Sequence, residues 1–371
     1  MSNDLNGPIP RSCAKAFSPY VPGLSINEIQ ERYGLGKVIK LASNENPLGV
    51  SPLVQKTLKN HLALAFRYPQ SGVPKLQEAI AKKHNLPAEM VAVGNGSDEI
   101  IDLLIRVLAE PGKHNIIAFN PCFSIYRLQA KLSDVEFRQI PLKADFTFPW
   151  DKFLAAADEN TRIAFVTTPD NPSGYCPPVE DLKRLAKSLP ATCLLVVDEA
   201  YMDFCNNEQA HSLLPSLQEF SNVAILRTFS KSYGLAGLRV GYGLIPQAVA
   251  DVLRRVHLPF SVNLLAEQAA LAALQDTVFY EKTLQTVSEG RVTLTQSLLQ
   301  LGFEVFPSQA NFIMTKPSIS ATKLFEALLQ KGIIVRPLKS YGLAEYIRVT
   351  IGTAEENAAF INACKEILNN A

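Results

Sequence analysis

The sequence predicts an α/β fold, with a large domain built on a mostly parallel sheet between helices and a smaller α+β domain. Two patterns lead to this prediction. Apolar runs of strand length alternate with helical stretches as far as about residue 245, and beyond it long helical patterns surround short strands. Strands that are apolar throughout are typical of a parallel sheet that is covered on both faces. We therefore expect an N-terminal arm over residues 1–30, a large domain over 31–245 and a small domain over 246–371.

The predicted elements of the large domain follow one another as strand and helix. The strands are MVAVG, HNIIAF, RIAFVTT, CLLVVD and VAILRTF, and the helices SDEIIDLLIRVLAE, FSIYRLQAKL and PVEDLKRLAKSL follow the first three of them. In the small domain the helical patterns are AVADVLRRVHL, AEQAALAALQDTVFYEKTLQTVSEGRVTLTQSLLQL and ATKLFEALLQKG, and the strands are FEVF, NFIMT and YIRVTIG. The first 30 residues are rich in proline and glycine, so we expect an arm that lies over another surface, such as a partner subunit.

Composition and charge exclude several classes of protein. At 371 residues, with 47% hydrophobic and 19% charged residues, the chain is typical of a globular protein with a large core. A formal net charge of +1 provides no global attraction to nucleic acid or to an anionic membrane. No apolar run suits a signal peptide or a membrane span, so we expect a cytoplasmic protein. The six cysteines show no CxxC or zinc spacing, so we expect them to be reduced and predict no metal site.

Polar side chains follow the predicted strands of the large domain, at the edge where a doubly wound sheet binds its ligands. Asn171 follows RIAFVTT, Asp198 follows CLLVV and Lys231 follows VAILRTF. Taken singly, each has a structural interpretation: a loop asparagine, a carboxylate paired with an arginine, and a lysine at the surface. Their shared position favours a binding site. The full set at or just past the strand ends is Asn171, Asp198, Tyr201, Ser230, Lys231 and Arg239.

A further candidate lies where MVAVG meets the following helix. Gly96 permits a tight turn, and Ser97 or Asp98 can cap the helix with its side chain. Alternatively, the first amides of this helix are free to hold an anion, because a helix N-terminus offers unpaired donors. The residue types alone favour an ordinary helix N-cap, whereas their position at the end of a strand favours an anion-binding site.

These residues suit pyridoxal 5′-phosphate chemistry, which needs a lysine amine, a carboxylate for the ring nitrogen and donors for the phosphate. The segments TTPDNPSG, VVDEAY and SKSYGLAGLRVGY, in this order, resemble the fold type I pyridoxal phosphate-dependent aminotransferases of class I/II. The resemblance extends over essentially the whole chain. It implies the fold type I architecture, with a large cofactor-binding domain and a smaller domain, and it implies transamination.

The resemblance also implies roles around the cofactor ring. Lys231 would bind the cofactor covalently and later move the proton between substrate and cofactor. A pocket with little water and the nearby Arg239 would keep its amine partly neutral. Asp198 would pair with the ring nitrogen, while Asn171 and Tyr201 would bond to the ring oxygen.

Other residues would hold the remaining parts of the cofactor. Phe123, in PCFSIY, would stack on the ring where many family members have a tyrosine, with core packing as the alternative. Tyr68, in FRYPQSG, would reach the cofactor phosphate of the partner subunit, which makes the protein a homodimer. The phosphate donors implied by the resemblance are Ser230, Arg239 and the amides around Gly96, Ser97 and Asp98.

Substrate recognition is assigned by the same resemblance to Tyr20, Asn44, Arg336 and Arg348. An arginine in the small domain can bind the carboxylate of glutamate and, in the other half-reaction, a phosphate ester. For Arg336, a surface position beside a proline is the alternative. The segments SPYVPGLSINEI and IKLASNENPLGVSP are similar to those of family members that transfer the amino group of histidinol phosphate to 2-oxoglutarate.

Two other functions stay open at this point. The first is an aromatic amino acid aminotransferase, which binds a carboxylate where the phosphate ester would bind. The second is a non-catalytic protein that uses the same fold to sense a ligand, as in regulators that carry a DNA-binding domain. The second is the weaker alternative, because no basic helix-turn-helix segment precedes residue 30.

Overall fold

A computed structural model of the protein describes residues 9–15, 17 and 23–370, and this part of the chain contains two sheets with helices around them. The strands are β1 Ile39–Leu41, β2 Val91–Gly94, β3 Asn115–Asn120, β4 Glu136–Pro141, β5 Thr161–Thr167, β6 Leu194–Asp198, β7 Val223–Thr228, β8 Gly241–Leu244, β9 Glu304–Val305, β10 Phe312–Lys316, β11 Ile333–Pro337 and β12 Ile347–Thr350. The helices are α1 Ser12–Lys15, α2 Ile26–Tyr33, α3 Pro52–His61, α4 Pro74–His84, α5 Ser97–Leu108, α6 Ser124–Leu132, α7 Trp150–Ala155, α8 Val179–Ser188, α9 Gln247–Val256, α10 Leu264–Gln275, α11 Thr277–Gln300, α12 Ala321–Gln330 and α13 Ala354–Asn369. Among these described helices, none is both long and apolar enough to cross a membrane.

The larger sheet has seven strands in the order β2-β8-β7-β6-β5-β3-β4. Strand β8 runs antiparallel to both of its neighbours, and the remaining neighbours are parallel. Every residue of β6 and β7 is buried. Side chains of β6 alternate between two apolar clusters, since Leu195 and Val197 join one while Leu194 and Val196 join the other. The predicted mostly parallel sheet with both faces covered is therefore confirmed.

The helical pattern predicted from Ala266 to Leu301 is divided into two helices, α10 and α11. Asp276 separates them, because its side chain accepts a hydrogen bond from the Phe279 amide at 3.1 Å and so caps α11. Its other carboxylate oxygen is bonded to the Ser51 hydroxyl, just before α3. Because the helix is broken here, α10 packs against α3, whereas α11 packs against β9 and β10 of the smaller sheet.

The smaller sheet has five strands in the order β1-β11-β12-β10-β9. Strand β1 pairs in parallel with β11, so that Ile39 lies opposite Ile333. Leu41, the last residue of β1, joins an apolar cluster with Phe312 and Val349 of the central strands. A strand from the early part of the chain therefore completes a sheet whose other strands all come after residue 303.

Two groups of elements pack differently from the predicted domain division. Strand β1 lies within the predicted large domain but belongs to the smaller sheet. Helices α9 and α10 lie within the predicted small domain, yet their residues Ala250 and Ala266 pack into the clusters of the seven-stranded sheet. The boundaries at residues 30 and 245 stay a prediction. The packing favours a small domain that contains β1 from the early part of the chain as well as β9 to β12 from its end.

The described part of the predicted N-terminal arm contacts its own chain. Helix α1 packs against α6, where the Cys13 thiol donates to the Leu132 carbonyl at 3.8 Å. The Lys131 Nζ atom lies 5.4 Å from the centre of the Phe17 ring. Tyr20 lies outside the described residues, so its assignment to substrate binding stays a prediction.

Candidate active site

A cavity of about 170 Å³ lies at the carboxyl ends of β5, β6 and β7, where the sequence predicts a binding site. Side chains from these strand ends meet there with the first turn of α5. Thr167, Ala200, Thr228 and Ala236 also line the cavity, and the sequence did not single them out. The predicted residues that line it are Ser97, Asp98, Phe123, Asn171, Asp198, Tyr201, Ser230, Lys231 and Arg239.

Lys231 directs its amine into this cavity, three residues after the end of β7. Its Nζ atom donates to the Ser43 carbonyl at 3.1 Å and lies 5.8 Å from the centre of the Tyr201 ring. Burial lowers the pKa of this amine to about 8, and the positive charge of Arg348 is the next largest cause. Arg239, the nearby cation that the sequence suggested, contributes less than Arg348. The alternative of a lysine at the surface is wrong.

Asp198 ends β6 with a carboxylate that is only 3% exposed. The Tyr126 hydroxyl donates to Asp198 Oδ2 at 2.6 Å, and the Ala200 amide donates to Oδ1 at 3.2 Å. Burial raises the pKa of Asp198 to about 6. The sequence left open that Asp198 pairs with an arginine. In the structure the next residue, Glu199, has this partner instead, because Arg227 donates to Glu199 Oε2 at 2.9 Å. Asp198 is thus left facing the cavity without an arginine partner among the described residues.

Arg227 also ties together the segments that follow β6 and β7. Besides Glu199, its guanidinium bonds to Asp203 at 3.1 Å and to Glu208 at 2.7 Å. Asp203 in turn accepts a hydrogen bond from Ser232, the residue after Lys231. This network, in which Arg227 and Glu199 are buried, fixes the backbone that carries Lys231.

Asn171 and Tyr201 are both hydrogen-bonded to residues that lie in the smaller sheet or closely follow one of its strands. The Asn171 side-chain oxygen accepts a hydrogen bond from Arg348 Nη1. The Tyr201 hydroxyl accepts one from Asn44 Nδ2 at 3.1 Å. Asn44 is 1% exposed and its side-chain oxygen accepts from the Thr350 hydroxyl at 3.1 Å. Asn44 therefore stands behind Tyr201, and its predicted contact with substrate stays a prediction.

The turn before α5 forms a corner suited to an anion. Helix α5 begins at Ser97, and no side chain caps it, so the ordinary cap that the sequence favoured at Ser97 or Asp98 is wrong. Gly96 has a φ of +78°, and a Cβ added there would lie 2.5 Å from Arg239 Nη2. Arg239 is 3.2 Å from Asp98 Oδ2. The corner thus combines the first amides of α5, a guanidinium and the Ser230 hydroxyl, and a side chain at position 96 would displace the guanidinium.

The two predicted aromatic contacts differ in position. Phe123 lines the cavity and meets Tyr126 edge-on, with ring centres 5.7 Å apart. Tyr68 is 81% exposed and stacks on Phe260 at 4.8 Å, and it does not line the cavity of its own chain. Its action on a partner subunit stays a prediction.

Two arginines of the smaller sheet lie opposite each other, since Arg336 on β11 is paired in register with Arg348 on β12. Arg348 is 6% exposed, and its Nη2 donates to the Ala42 carbonyl at 3.2 Å. Its Nε atom is buried and has no hydrogen-bond partner in the described part of the chain. Arg336 is half-buried. The arginine that reaches Asn171 is therefore one of a cross-strand pair.

Comparison with known proteins identifies the family. The sequence profile of the family described as aminotransferase class I and II matches residues 36–364. The chain belongs to this family. The aminotransferase is 66% identical over 355 residues to the histidinol-phosphate aminotransferase of Nitratidesulfovibrio vulgaris strain Hildenborough, with 96% of this chain and 95% of the relative covered. It is 61% identical to the protein of the same name from Oleidesulfovibrio alaskensis, covering 95% and 93% of the two chains.

Solved structures confirm the fold type I architecture of the aminotransferase. The crystal structure of histidinol-phosphate aminotransferase from Sinorhizobium meliloti, in complex with pyridoxal 5′-phosphate, superposes with a TM-score of 0.87 over 97% of each chain, at 24% identity. The histidinol-phosphate aminotransferase from Clostridium acetobutylicum gives a TM-score of 0.83 at 26% identity, with 90% of this chain and all of that chain covered.

The donor set of the cavity fits pyridoxal 5′-phosphate. The amine of Lys231, the buried carboxylate of Asp198 and the anion corner at Gly96 open into one cavity. Lys231 would hold the cofactor covalently, Asp198 would face the ring nitrogen, and Arg239 with Ser230 would hold the phosphate. An ion pair between Arg239 and Asp98 also shows that the guanidinium is already directed at this corner.

Tyr126 is a site residue that the sequence did not indicate. It lies in the first turn of α6, three positions after Phe123, which precedes the helix, and the two rings are in contact. It is fully buried, stacks on Phe165 at 4.3 Å, and is also 2.9 Å from the Thr167 hydroxyl. The aromatic spacing in PCFSIY is the signal that would have found it.

Proposed function

We propose that this aminotransferase transfers the amino group of histidinol phosphate to 2-oxoglutarate, with pyridoxal 5′-phosphate held at Lys231 in a homodimer. The names of the two close relatives support this substrate. The observation that carries the proposal is the cross-strand pair of Arg336 and Arg348 beside Asn171. Histidinol phosphate has no carboxylate, so its phosphate must use the anion site that binds the carboxylate of glutamate.

The two arginines divide this work by charge. Arg348 is buried against Asn171 and offers a planar fork that suits a carboxylate or a phosphate. Arg336 lies on the neighbouring strand and is half-buried, so it can add a second cation. A phosphate dianion gains more from a second cation than a carboxylate does. We therefore assign Arg348 to both half-reactions and Arg336 chiefly to histidinol phosphate.

The chain's own groups suit the proton transfers of transamination. When bound, the cofactor supplies an electron-poor ring that stabilises negative charge at the substrate carbon. Lys231, with its lowered pKa, is available as a neutral amine that accepts a proton and returns it. Asp198 keeps an anionic oxygen at the buried end of the cavity, and the centre of the Tyr201 ring lies 5.8 Å from the amine.

The proposed homodimer is supported by a cluster of exposed apolar side chains. They belong to two segments, residues 62–68 and 256–260, which meet where Tyr68 stacks on Phe260. Exposed apolar groups of this size are costly in water and are typical of a subunit interface. A second copy of the chain would cover them and bring Tyr68 to the partner's cofactor phosphate. The exposed members are Leu62, Leu64, Phe66, Tyr68, Val256, Leu258 and Phe260.

The substrate assignment is tested by comparing half-reactions in arginine variants. We expect Arg336→Ala to lower kcat/KM for histidinol phosphate by about tenfold or more relative to glutamate, because one charge-assisted hydrogen bond is worth about 1.5–3 kcal/mol. Arg348→Ala should impair both half-reactions. Arg184→Ala, an exposed arginine on α8, is the matched control and should change neither.

Phenylalanine serves as a third amino donor in the same measurements. A wild-type preference for phenylalanine would favour the aromatic amino acid aminotransferase instead. Equal losses for histidinol phosphate and glutamate in Arg336→Ala would remove Arg336 from phosphate recognition.

A further inference from the structure

The turn that precedes α5 is bonded to a carboxylate outside the cavity. Glu99, the third residue of α5, accepts a hydrogen bond from the Asn95 amide at 2.6 Å through its Oε2 atom. Asn95 and Gly96 form the connection between β2 and α5. The described residues that line the cavity include Ser97 and Asp98 but not Glu99. Glu99 therefore fixes the turn at Gly96 without occupying the cavity.

A histidine from another helix completes this contact. His257 directly follows α9, which packs against α5. Its Nε2 atom lies 3.3 Å from Glu99 Oε2 and 3.2 Å from the Ser261 hydroxyl. Because a carboxylate only accepts, Nε2 carries a proton and donates it to the bond with Glu99. Both side chains are half-buried, so their bond is partly shielded from water.

The histidine also offsets a charge that would oppose anion binding. The carboxylate of Glu99 would repel a phosphate at the start of α5. Burial acts to raise the pKa of Glu99, but the bonds from His257 and from the Asn95 amide outweigh it, and the pKa is lowered. The carboxylate is therefore ionised at neutral pH, and its Oε2 atom is engaged by two donors of the protein.

The segment after α9 contacts the other side of the corner as well. Asn263 Nδ2 donates to the carbonyl of Leu238 at 3.3 Å. Leu238 precedes Arg239, whose guanidinium is part of the corner. The Asn263 Oδ1 atom accepts from the Ala266 amide at 2.8 Å and so caps α10. One segment, residues 257–263, thus contacts both the start of α5 and the chain that carries the guanidinium.

We propose that Glu99 and His257 are positioning residues for the cofactor phosphate, and that they hold the turn at Gly96 where the amides of α5 and Arg239 can bind the phosphate together. The proposal rests on the assignment of this corner to the phosphate. The groups that would bind the cofactor ring and form the covalent bond belong to other strand ends. Loss of the Glu99–His257 bond should therefore weaken phosphate binding alone.

The test compares pyridoxal 5′-phosphate with pyridoxal, which lacks the phosphate, as ligands of the full-length protein freed of cofactor. The wild type should bind the phosphorylated form more tightly. His257→Leu should bind pyridoxal 5′-phosphate about tenfold more weakly, which is the size of one charge-assisted hydrogen bond to the phosphate. Its affinity for pyridoxal should not change, which also shows that the variant is folded. His257→Gln keeps an N–H donor and should retain both affinities.

Variants of Glu99 separate position from charge. Glu99→Gln keeps an oxygen that accepts from the Asn95 amide, so its affinity for pyridoxal 5′-phosphate should not fall. Glu99→Leu removes the acceptor and should lose affinity for the phosphorylated ligand alone. If repulsion by the carboxylate were its main effect, both variants would bind pyridoxal 5′-phosphate more tightly than the wild type, and the proposal would be wrong.

Two further variants make the outcomes distinguishable. His114→Leu is the matched control, because it breaks a histidine bond to the Glu110 amide just before β3, at the opposite edge of the sheet, and should keep both affinities. Arg239→Ala removes a direct phosphate contact. If Arg239→Ala weakens only the phosphorylated ligand while His257→Leu weakens both ligands or neither, the corner binds phosphate and the positioning role is wrong. If Arg239→Ala also leaves the preference unchanged, the assignment of the corner fails, and the proposal with it.

Discussion

The Lys231 amine is placed by the large sheet, but the cation that affects it most comes from the small one. Arg348 on β12 is the largest electrostatic cause of the lowered pKa of Lys231, after burial. The same arginine bonds to Asn171, which also lines the cavity. One side chain of the small sheet therefore influences both the protonation of the lysine and the position of a cofactor contact.

This arrangement predicts how the apoprotein captures its cofactor as the pH changes. The neutral amine is the reactive form, and a pKa of about 8 makes it available two to three pH units lower than an ordinary lysine, whose value is about 10.4. The rate of cofactor capture should therefore rise with pH to a midpoint near 8. Arg348→Ala removes a positive charge, so the pKa rises and the midpoint should move to higher pH.

The measurement is the rate of absorbance change on adding pyridoxal 5′-phosphate, followed by borohydride reduction and peptide mapping. Arg106→Ala, on an exposed face of α5 about 13 Å along the helix from Ser97, should leave the midpoint unchanged. A label on any lysine other than Lys231 would contradict the assignment, and an unchanged midpoint in Arg348→Ala would contradict the electrostatic explanation.

Tyr126 is predicted to be a positioning residue for Asp198. Its hydroxyl stabilises the ionised carboxylate, so Tyr126→Phe should raise the pKa of Asp198 above about 6. Because only the ionised form pairs with a protonated ring nitrogen, the acid limb of cofactor binding should move to higher pH. We expect the cofactor Kd at pH 7 to rise by about tenfold or more, from a bond worth about 1.5–3 kcal/mol.

Equilibrium titration of the apoprotein from pH 5 to 8 gives the Kd and the acid limb together. Tyr346→Phe, which removes a hydroxyl from the aromatic cluster beside Phe146, is the control. If Tyr126→Phe binds the cofactor more weakly but loses it at the same acidic pH as the wild type, then Tyr126 contributes by packing and does not stabilise the Asp198 carboxylate.

The residues at strand ends were predictable because strand, turn and polar side chain are adjacent in the sequence. Lys231, Asp198 and Asn171 all follow apolar runs and all line the cavity. The bond from Asn44 to Tyr201 was not predictable, because it joins residues 157 positions apart through the pairing of two lobes. Contacts of this kind depend on tertiary packing, which leaves no periodic signal.

At the scale of elements, the strands that escaped prediction are β1, β4, β8 and β11, and two of them are short or rich in glycine. Strand β1 has three residues, and β8, GYGL, is half glycine, a residue depleted in strands. The glycine has a reason in the structure, since a Cβ on Gly241 would lie 2.5 Å from the Ser97 amide nitrogen. Strand β8 therefore passes directly beneath the start of α5. Glycine is needed there because the two backbones approach closely, although it is a poor strand former.

The start of α5 allows a matched pair of glycine variants. Gly96→Ala places a Cβ against Arg239 and should weaken cofactor affinity by roughly tenfold or more, because a charge-assisted bond of about 1.5–3 kcal/mol to the phosphate is lost. Gly112→Ala has a similar φ of +68° but nothing within 4 Å of the new Cβ. Both variants should lose about 1 kcal/mol of stability from the positive φ.

Cofactor titration and chemical denaturation of both variants separate the two effects. Only Gly96→Ala should show the loss of affinity. Equal affinities in the two variants would mean that the corner at Arg239 does not hold the phosphate.

At the scale of the whole molecule, the proposed homodimer predicts complementation between two inactive variants. Lys231→Ala lacks the amine, and Tyr68→Ala lacks the side chain that we propose acts on the partner's cofactor. In a mixed dimer one site receives Lys231 from one subunit and Tyr68 from the other. After subunit exchange, an equal mixture should recover about a quarter of wild-type activity, since half of the dimers are mixed and each has one intact site.

Each variant incubated alone is the control, and native mass spectrometry verifies the exchange. If mixed dimers form without any recovery, Tyr68 acts within its own subunit or not at all.

The pairing of β1 with β11 also has a consequence for synthesis of the chain. Ile39 and Ile333 are about 300 positions apart, so most of the polypeptide must leave the ribosome before this pair can form. The strands of the seven-stranded sheet end at Leu244, and helices α9 and α10, which pack against it, end at Gln275, so we expect this sheet to fold first. Until β11 has been synthesised, the apolar faces of α2 and β1 have no partner to pack against, and non-local pairing of this kind is slow. Since Asn44 follows β1 and Arg348 lies on β12, a nascent chain reaches catalytic competence only in its final steps, and truncation from either end removes the same sheet.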